Sequence, residues 1–229
     1  MKNNVFTRLE SNLRRDKNIH SVLGQKYYEG RLTGLDYGNY KTWLEQKLLP
    51  NTRLIIEPKI QGTAIVLTYE KGYLKKAINK RGLDKTFDVS QIKNVPTKIP
   101  VVPTIRIRGQ IYYHFTSTGN AKTLALKESN LLLPKDKEIS FASFQILNVD
   151  LNQYSQLQEL YKLGFQIPPN EYTRFSTSEV EIFVDLWKDK KIFSEIPNNG
   201  IVLKVNSRKF QKELGENISY PYWAYAIKR

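Results

Sequence analysis

Lys59 stands in the run Glu57-Pro58-Lys59-Ile60-Gln61-Gly62, at the junction between a β-rich stretch and a following hairpin. A lysine becomes a nucleophile only when its amine gives up its proton, which takes a pocket that lowers its pKa from near 10.4. A strand end holds such a side chain rigidly, and Gly62 lets backbone approach a ligand closely. Taken alone, the residue reads as an ordinary surface lysine at a strand end, the fate of most of this chain's lysines. Four further segments follow it in chain order: Arg81-Gly82, Arg106-Ile107-Arg108-Gly109-Gln110-Ile111-Tyr112, the stretch from Asn198-Asn199-Gly200 to Lys204-Val205-Asn206, and the closing run 220–229 with Lys228. Each sets a basic residue at a strand or turn. Brought together, they would form a cationic pocket suited to a polyphosphate.

Such a set has to be carried by strands, and the pattern supplies them. An amphipathic helix is expected at 40–49, stopped by Pro50, and a strand at 53–57. Residues 63–69 and 73–78 read as a hairpin around Glu70-Lys71-Gly72. Strands are expected at 104–108, 110–115, 139–149, 200–205 and 223–227. Helices are expected at 154–163, closed by Gly164, at 178–190, with Ser178 as N-cap and Glu181 completing a capping box, and at 209–214. Residues 118–137 are polar and undecided. Hairpin-linked strands with helices between them argue an α+β fold with antiparallel sheets. Residues 1–33, polar and basic with helical potential at 6–13, are expected as a separate segment before a domain spanning 34–229.

Composition narrows the chemistry. The 229 residues hold no cysteine, which excludes disulfides, thiolate metal sites and a cysteine nucleophile. With His20 and His114 the only histidines, a zinc site is not expected. No apolar run approaches the roughly 20 residues of a membrane span, and no apolar signal segment follows Met1-Lys2-Asn3-Asn4, so no membrane partner and a cytoplasmic location are expected. Thirty-six Lys+Arg against 22 Asp+Glu give a net charge of +14, which attracts phosphate backbones. Richness in Asn and Ile offers a second source for that excess, the compositional bias of an AT-rich genome.

The ordered set of segments resembles the adenylation domain of bacterial NAD-dependent DNA ligases, members of the covalent nucleotidyltransferase superfamily. The resemblance runs from Gly34-Leu35-Asp36 to Arg229 and includes connecting text such as Tyr69-Glu70-Lys71-Gly72-Tyr73-Leu74. It implies antiparallel sheets flanking a nucleotide cleft. It further implies that Lys59 attacks an α-phosphate and becomes adenylylated, with Lys204 and Lys228 neutralising that phosphate during transfer. Glu57 corresponds to the adenine-contacting glutamate and Phe144 to the ring that stacks on the base. Arg81 matches a pocket arginine after one inserted residue.

The departures concern charge. Gln61, Gln110 and Asn199 stand where the family carries carboxylates that orient the ribose and help hold the metal ion. An amide keeps shape and a carbonyl acceptor but loses the charge, and hard divalent cations are held best by anionic oxygens. NAD or ATP, through its AMP moiety, remains an expected ligand, while Mg2+ is expected to be held poorly. Glutamine after the nucleophile is also similar to some RNA ligases, so DNA and RNA both stay open. Residues 1–33 show no counterpart of the module that grips the nicotinamide half of NAD, and the chain stops after Lys228, ahead of the family's OB-fold, zinc module and helix-hairpin-helix repeats. The expectation is a degenerate core that does not seal a nick alone but binds nucleotide, nucleic acid or a larger complex. The alternative is a minimal adenylyltransferase that forms a Lys59–AMP intermediate and passes AMP on; a scaffold subunit is the third reading.

Overall fold

The structure, a computed structural model, describes residues 9, 12, 35–101, 103–114, 139–173, 178–217 and 219–228. Of the helix expected at 6–13 only Leu9 and Asn12 fall among them, both helical, and the rest of the segment 1–33 and residues 118–137 lie outside. In chain order the elements are β1 (Asp36–Tyr37), α1 (Tyr40–Lys47), β2 (Leu54–Ile60), β3 (Thr63–Glu70), β4 (Tyr73–Asn79), α2 (Thr86–Ser90), β5 (Ile105–Tyr113), β6 (Ile139–Ile146), α3 (Gln153–Lys162), β7 (Glu171–Tyr172), α4 (Glu179–Lys188), β8 (Asn198–Val205), α5 (Arg208–Leu214) and β9 (Ala224–Lys228).

The strands form two sheets, one ordered β1-β9-β8-β2-β7 and the other β4-β3-β5-β6. Pairing is antiparallel throughout except for β1, which adds to β9 in parallel at the edge. Each sheet has its own apolar layer. Beneath the first, Trp43 of α1 and Val180, Val184 and Trp187 of α4 pack on Ile56, Leu203 and Tyr225. The α4 positions recur at helical spacing, giving one apolar stripe. Beneath the second, Leu67, Ile107 and Phe141 meet Leu160 of α3 and Phe165. A small cluster of Ile60, Tyr112, Ala142 and Ile196 draws residues from both sheets.

Three local expectations are corrected. The strands expected at 104–108 and 110–115 are one strand, β5, with Gly109 inside it. A side chain at Gly109 would collide with the Phe141 ring and the Ala142 carbonyl, so the glycine marks close packing against β6 and not a turn. Ser178 is the N-cap of α4, but its side chain makes no cap hydrogen bond. Glu181 instead reaches Lys41 of α1 at 2.8 Å, an exposed pair that replaces the expected capping box. Finally, β2 does not end at Glu57 but continues to Ile60. β7 covers only Ile55 and Ile56, so one side of β2 has no ladder at Pro58, the setting in which a strand tolerates proline.

Candidate functional site

The extension of β2 decides where Lys59 goes. Register with β8 shifts between Pro58 and Ile60, leaving Lys59 with no directly opposed residue. Irregularities of this kind re-aim a side chain. Lys59 enters a cavity of about 430 Å3 bounded by residues of both sheets, within the range of small-molecule sites. Gly62, at the start of the next hairpin, lines it too; a methyl group there would run into the backbone carbonyl of Ile111 on β5. The glycine therefore sets how closely the β2–β3 connection lies over the second sheet.

Of the residues singled out in the sequence, Glu57, Lys59, Gly62, Gln110, Phe144, Lys204 and Lys228 all line this cavity. Asn199 does not, but its Oδ1 accepts a hydrogen bond from Lys59 Nζ at 3.0 Å. Gln61 lies outside the lining, and its backbone N–H is taken by the Pro197 carbonyl at 2.9 Å. Arg81 is also outside the lining, and its neighbour Lys80 takes a place there. Arg108 is the second cation that the reading of single residues left out. The signal was present: Arg108 and Gln110 are two apart on one strand, so they share a face.

Electrostatics divide the cavity in two. At the inner end Glu57 and Lys204 form a buried ion pair, Nζ to Oε2 at 2.7 Å. Gln153 Nε2 donates to the other oxygen, Oε1, at 3.0 Å and also to the Phe144 carbonyl at 2.8 Å. The Lys204 ammonium lies 4.6 Å from the centroid of the Phe144 ring, and the Arg108 guanidinium 5.8 Å from it, both at cation–π distance. Burial pulls the Lys204 ammonium below the ordinary lysine range and Arg108 adds to the effect, while Glu57 opposes it. At the outer end Lys228 lies over the Tyr37 ring. Burial first, and the Lys228 charge second, hold the Lys59 amine below the usual lysine range. An amine in this state can either attack a phosphorus centre or, protonated, bind an anion.

The divalent ion implied by the resemblance does not fit these residues. Among the described residues Glu57 is the only carboxylate in the cavity lining, and both its oxygens are engaged. Among the described residues no three His, Cys, Asp or Glu side chains lie together as a metal-binding group. Of the three amides standing where the resemblance implies carboxylates, Gln110 lines the cavity and Asn199 bonds Lys59 beside it. Facing them are Lys59, Lys80, Arg108, Lys204 and Lys228.

The family model for the NAD-dependent DNA ligase adenylation domain matches residues 36–130 and 114–229. A DNA ligase of Fervidobacterium nodosum is 30% identical over 210 residues, covering 80% of this chain and 31% of that protein. One of Thermotoga neapolitana is 27% identical over 239 residues, covering 91% and 34%. The chain thus spans about a third of the length of the curated relatives it matches. Among solved structures, an archaeal ATP-dependent RNA ligase aligns with a TM-score of 0.56 at 12% identity, over 86% of this chain and 48% of the other. A Lig E DNA ligase aligns at 0.52 and 12%, over 86% and 68%. Both share the nucleotidyltransferase fold. No helix among the described residues is long and apolar enough to cross a membrane. With two-sheet architecture, ordered motifs and family model in agreement, the chain belongs to the NAD-dependent DNA ligase adenylation domain family.

Proposed function

We propose that this chain is a nucleotide-binding ligase core that has lost efficient transfer of AMP, and that its basic surface holds nucleic acid or docks it in a larger assembly. The observation that carries this reading is the charge of the cavity: among the described residues five cationic side chains line it, against a single carboxylate already paired with Lys204. NAD and ATP both present the diphosphate that such a wall suits, and the apolar residues Leu35, Ile60, Val202 and Trp223 offer the base a dry surface. Phosphoryl-type transfer depends on positioning and on neutralising charge that develops in the transition state. Lysines supply the second, but the amides at Gln61, Gln110 and Asn199 no longer fix a metal or orient a ribose as carboxylates would.

Lys59 supports a second reading, an active adenylyltransferase, because its amine is half-buried and its proton affinity lowered. The two separate in one experiment. The chain is incubated with labelled NAD or ATP and Mg2+ or Mn2+, then denatured and examined for bound label. The wild type should carry none. Gln61→Asp/Gln110→Glu/Asn199→Asp should gain label, and adding Lys59→Ala should remove it. Label on Lys59 of the wild type would establish the active reading instead.

A further inference from the structure

The cavity poses a charge-balance problem for any phosphate ligand. Mg2+ keeps several waters and is held through one or two carboxylates together with substrate phosphates. Here Glu57, the one carboxylate among the described lining residues, has one oxygen on Lys204 at 2.7 Å and the other on Gln153 at 3.0 Å. Asn199 turns its carbonyl oxygen to Lys59 at 3.0 Å, and Gln110 offers a neutral amide. A metal ion carried in on a polyphosphate would therefore meet Lys59, Lys80, Arg108 and Lys228, with the Glu57 charge already matched by Lys204 and no second carboxylate among the described lining residues. A polyphosphate without a metal would meet the same four side chains as counter-charges and charge-assisted hydrogen-bond donors.

We propose that this cavity takes a polyphosphate in its metal-free form, its side-chain cations standing in for the divalent ion. The proposal rests on the nucleotide-binding reading and adds the ionic form of the ligand. Mg2+ then acts as a competitor, because it sequesters the free anion into a complex of lower negative charge. The repulsion between Lys59 and Lys228, which lowers the proton affinity of Lys59, is relieved when an anion lies between them. Lys80, outside the motif positions, becomes a binding residue.

Isothermal titration calorimetry on the full chain tests this at matched ionic strength, since exposed charges are screened by salt. ATP is titrated in EDTA and again in excess Mg2+, and inorganic tripolyphosphate is titrated in EDTA. ATP should bind in EDTA, with an affinity about tenfold lower in Mg2+, roughly 1.4 kcal/mol. Tripolyphosphate as tight as ATP would assign recognition to the phosphates alone, and weaker binding would assign a share to the nucleoside; both agree with a metal-free site. Lys80→Met should weaken binding in EDTA by about tenfold, the loss of one charge-assisted contact. Gln110→Glu/Asn199→Asp should weaken it similarly and gain binding when Mg2+ is added. ATP that binds only with Mg2+, or more tightly with it, overturns the metal-free proposal and leaves nucleotide binding standing. No binding of ATP or tripolyphosphate in any arm overturns this proposal, and NAD titrated in the same two buffers decides the nucleotide-binding reading separately: no binding there defeats it.

Discussion

Lys59 owes its chemistry to two neighbours and one backbone irregularity. The register shift in β2 directs it into the cavity, Asn199 receives its Nζ–H, and the Lys228 charge disfavours its proton. Its pKa is lower folded than unfolded, so the charged form opposes folding at acidic and neutral pH, and that cost fades as pH rises through the lowered pKa. The same displacement is visible in reactivity. Acylation across a pH series, read by peptide mass mapping, should modify Lys59 at a lower pH than the value near 10.4 typical of lysine. Lys228→Met should move that pH upward, because one of the two lowering causes is gone. Ordinary reactivity at Lys59, unchanged in Lys228→Met, would show that neither burial nor the neighbouring charge acts on it.

Between elements, the Glu57–Lys204 pair ties β2 to β8 at the floor of the cavity. Removing one member strands the other charge in a buried place. Glu57→Gln should therefore cost about 3–5 kcal/mol, a fall in Tm on the order of 10 °C for a chain of this size. Glu57→Gln/Lys204→Met should recover most of it, and calorimetric melting of both variants checks the pair. Equal Tm for wild type and Glu57→Gln would mean the pair contributes nothing net. Much of the fold was legible in the sequence because periodicity and turn residues declare it: the hairpin around Lys71-Gly72, helix α4 and the ends of β8 and β9 fall close to where the pattern puts them. What was not legible depends on neighbours distant in sequence. Gly109 reads as a break until Phe141 lies across it, and Glu181 reads as a cap until Lys41 comes within reach. The choice of Lys80 over Arg81 depends on the turn after β4, where the Asn79 side chain accepts the backbone N–H of Arg81 at 2.9 Å and that of Leu83 at 3.0 Å. An inserted residue in a motif cannot say which of two adjacent cations faces inward.

For the molecule as a whole, the excess of 36 Lys+Arg over 22 Asp+Glu should make any nucleic-acid binding steeply salt-dependent. Fluorescence anisotropy with a short duplex and a single strand should show log affinity falling linearly with log salt, losing about a thousandfold between roughly 50 and 200 mM if about six phosphates are contacted. Binding that is flat with salt, or absent at low salt, would mean the charge is compositional and serves no backbone. The central claim, however, concerns the cavity: its cations are kept while the acids of the family positions are neutral. Intact mass spectrometry after incubation with NAD or ATP and Mg2+ tests it most directly. The whole population should keep the mass of the unmodified polypeptide. A species heavier by one AMP, absent from Lys59→Ala, would contradict it.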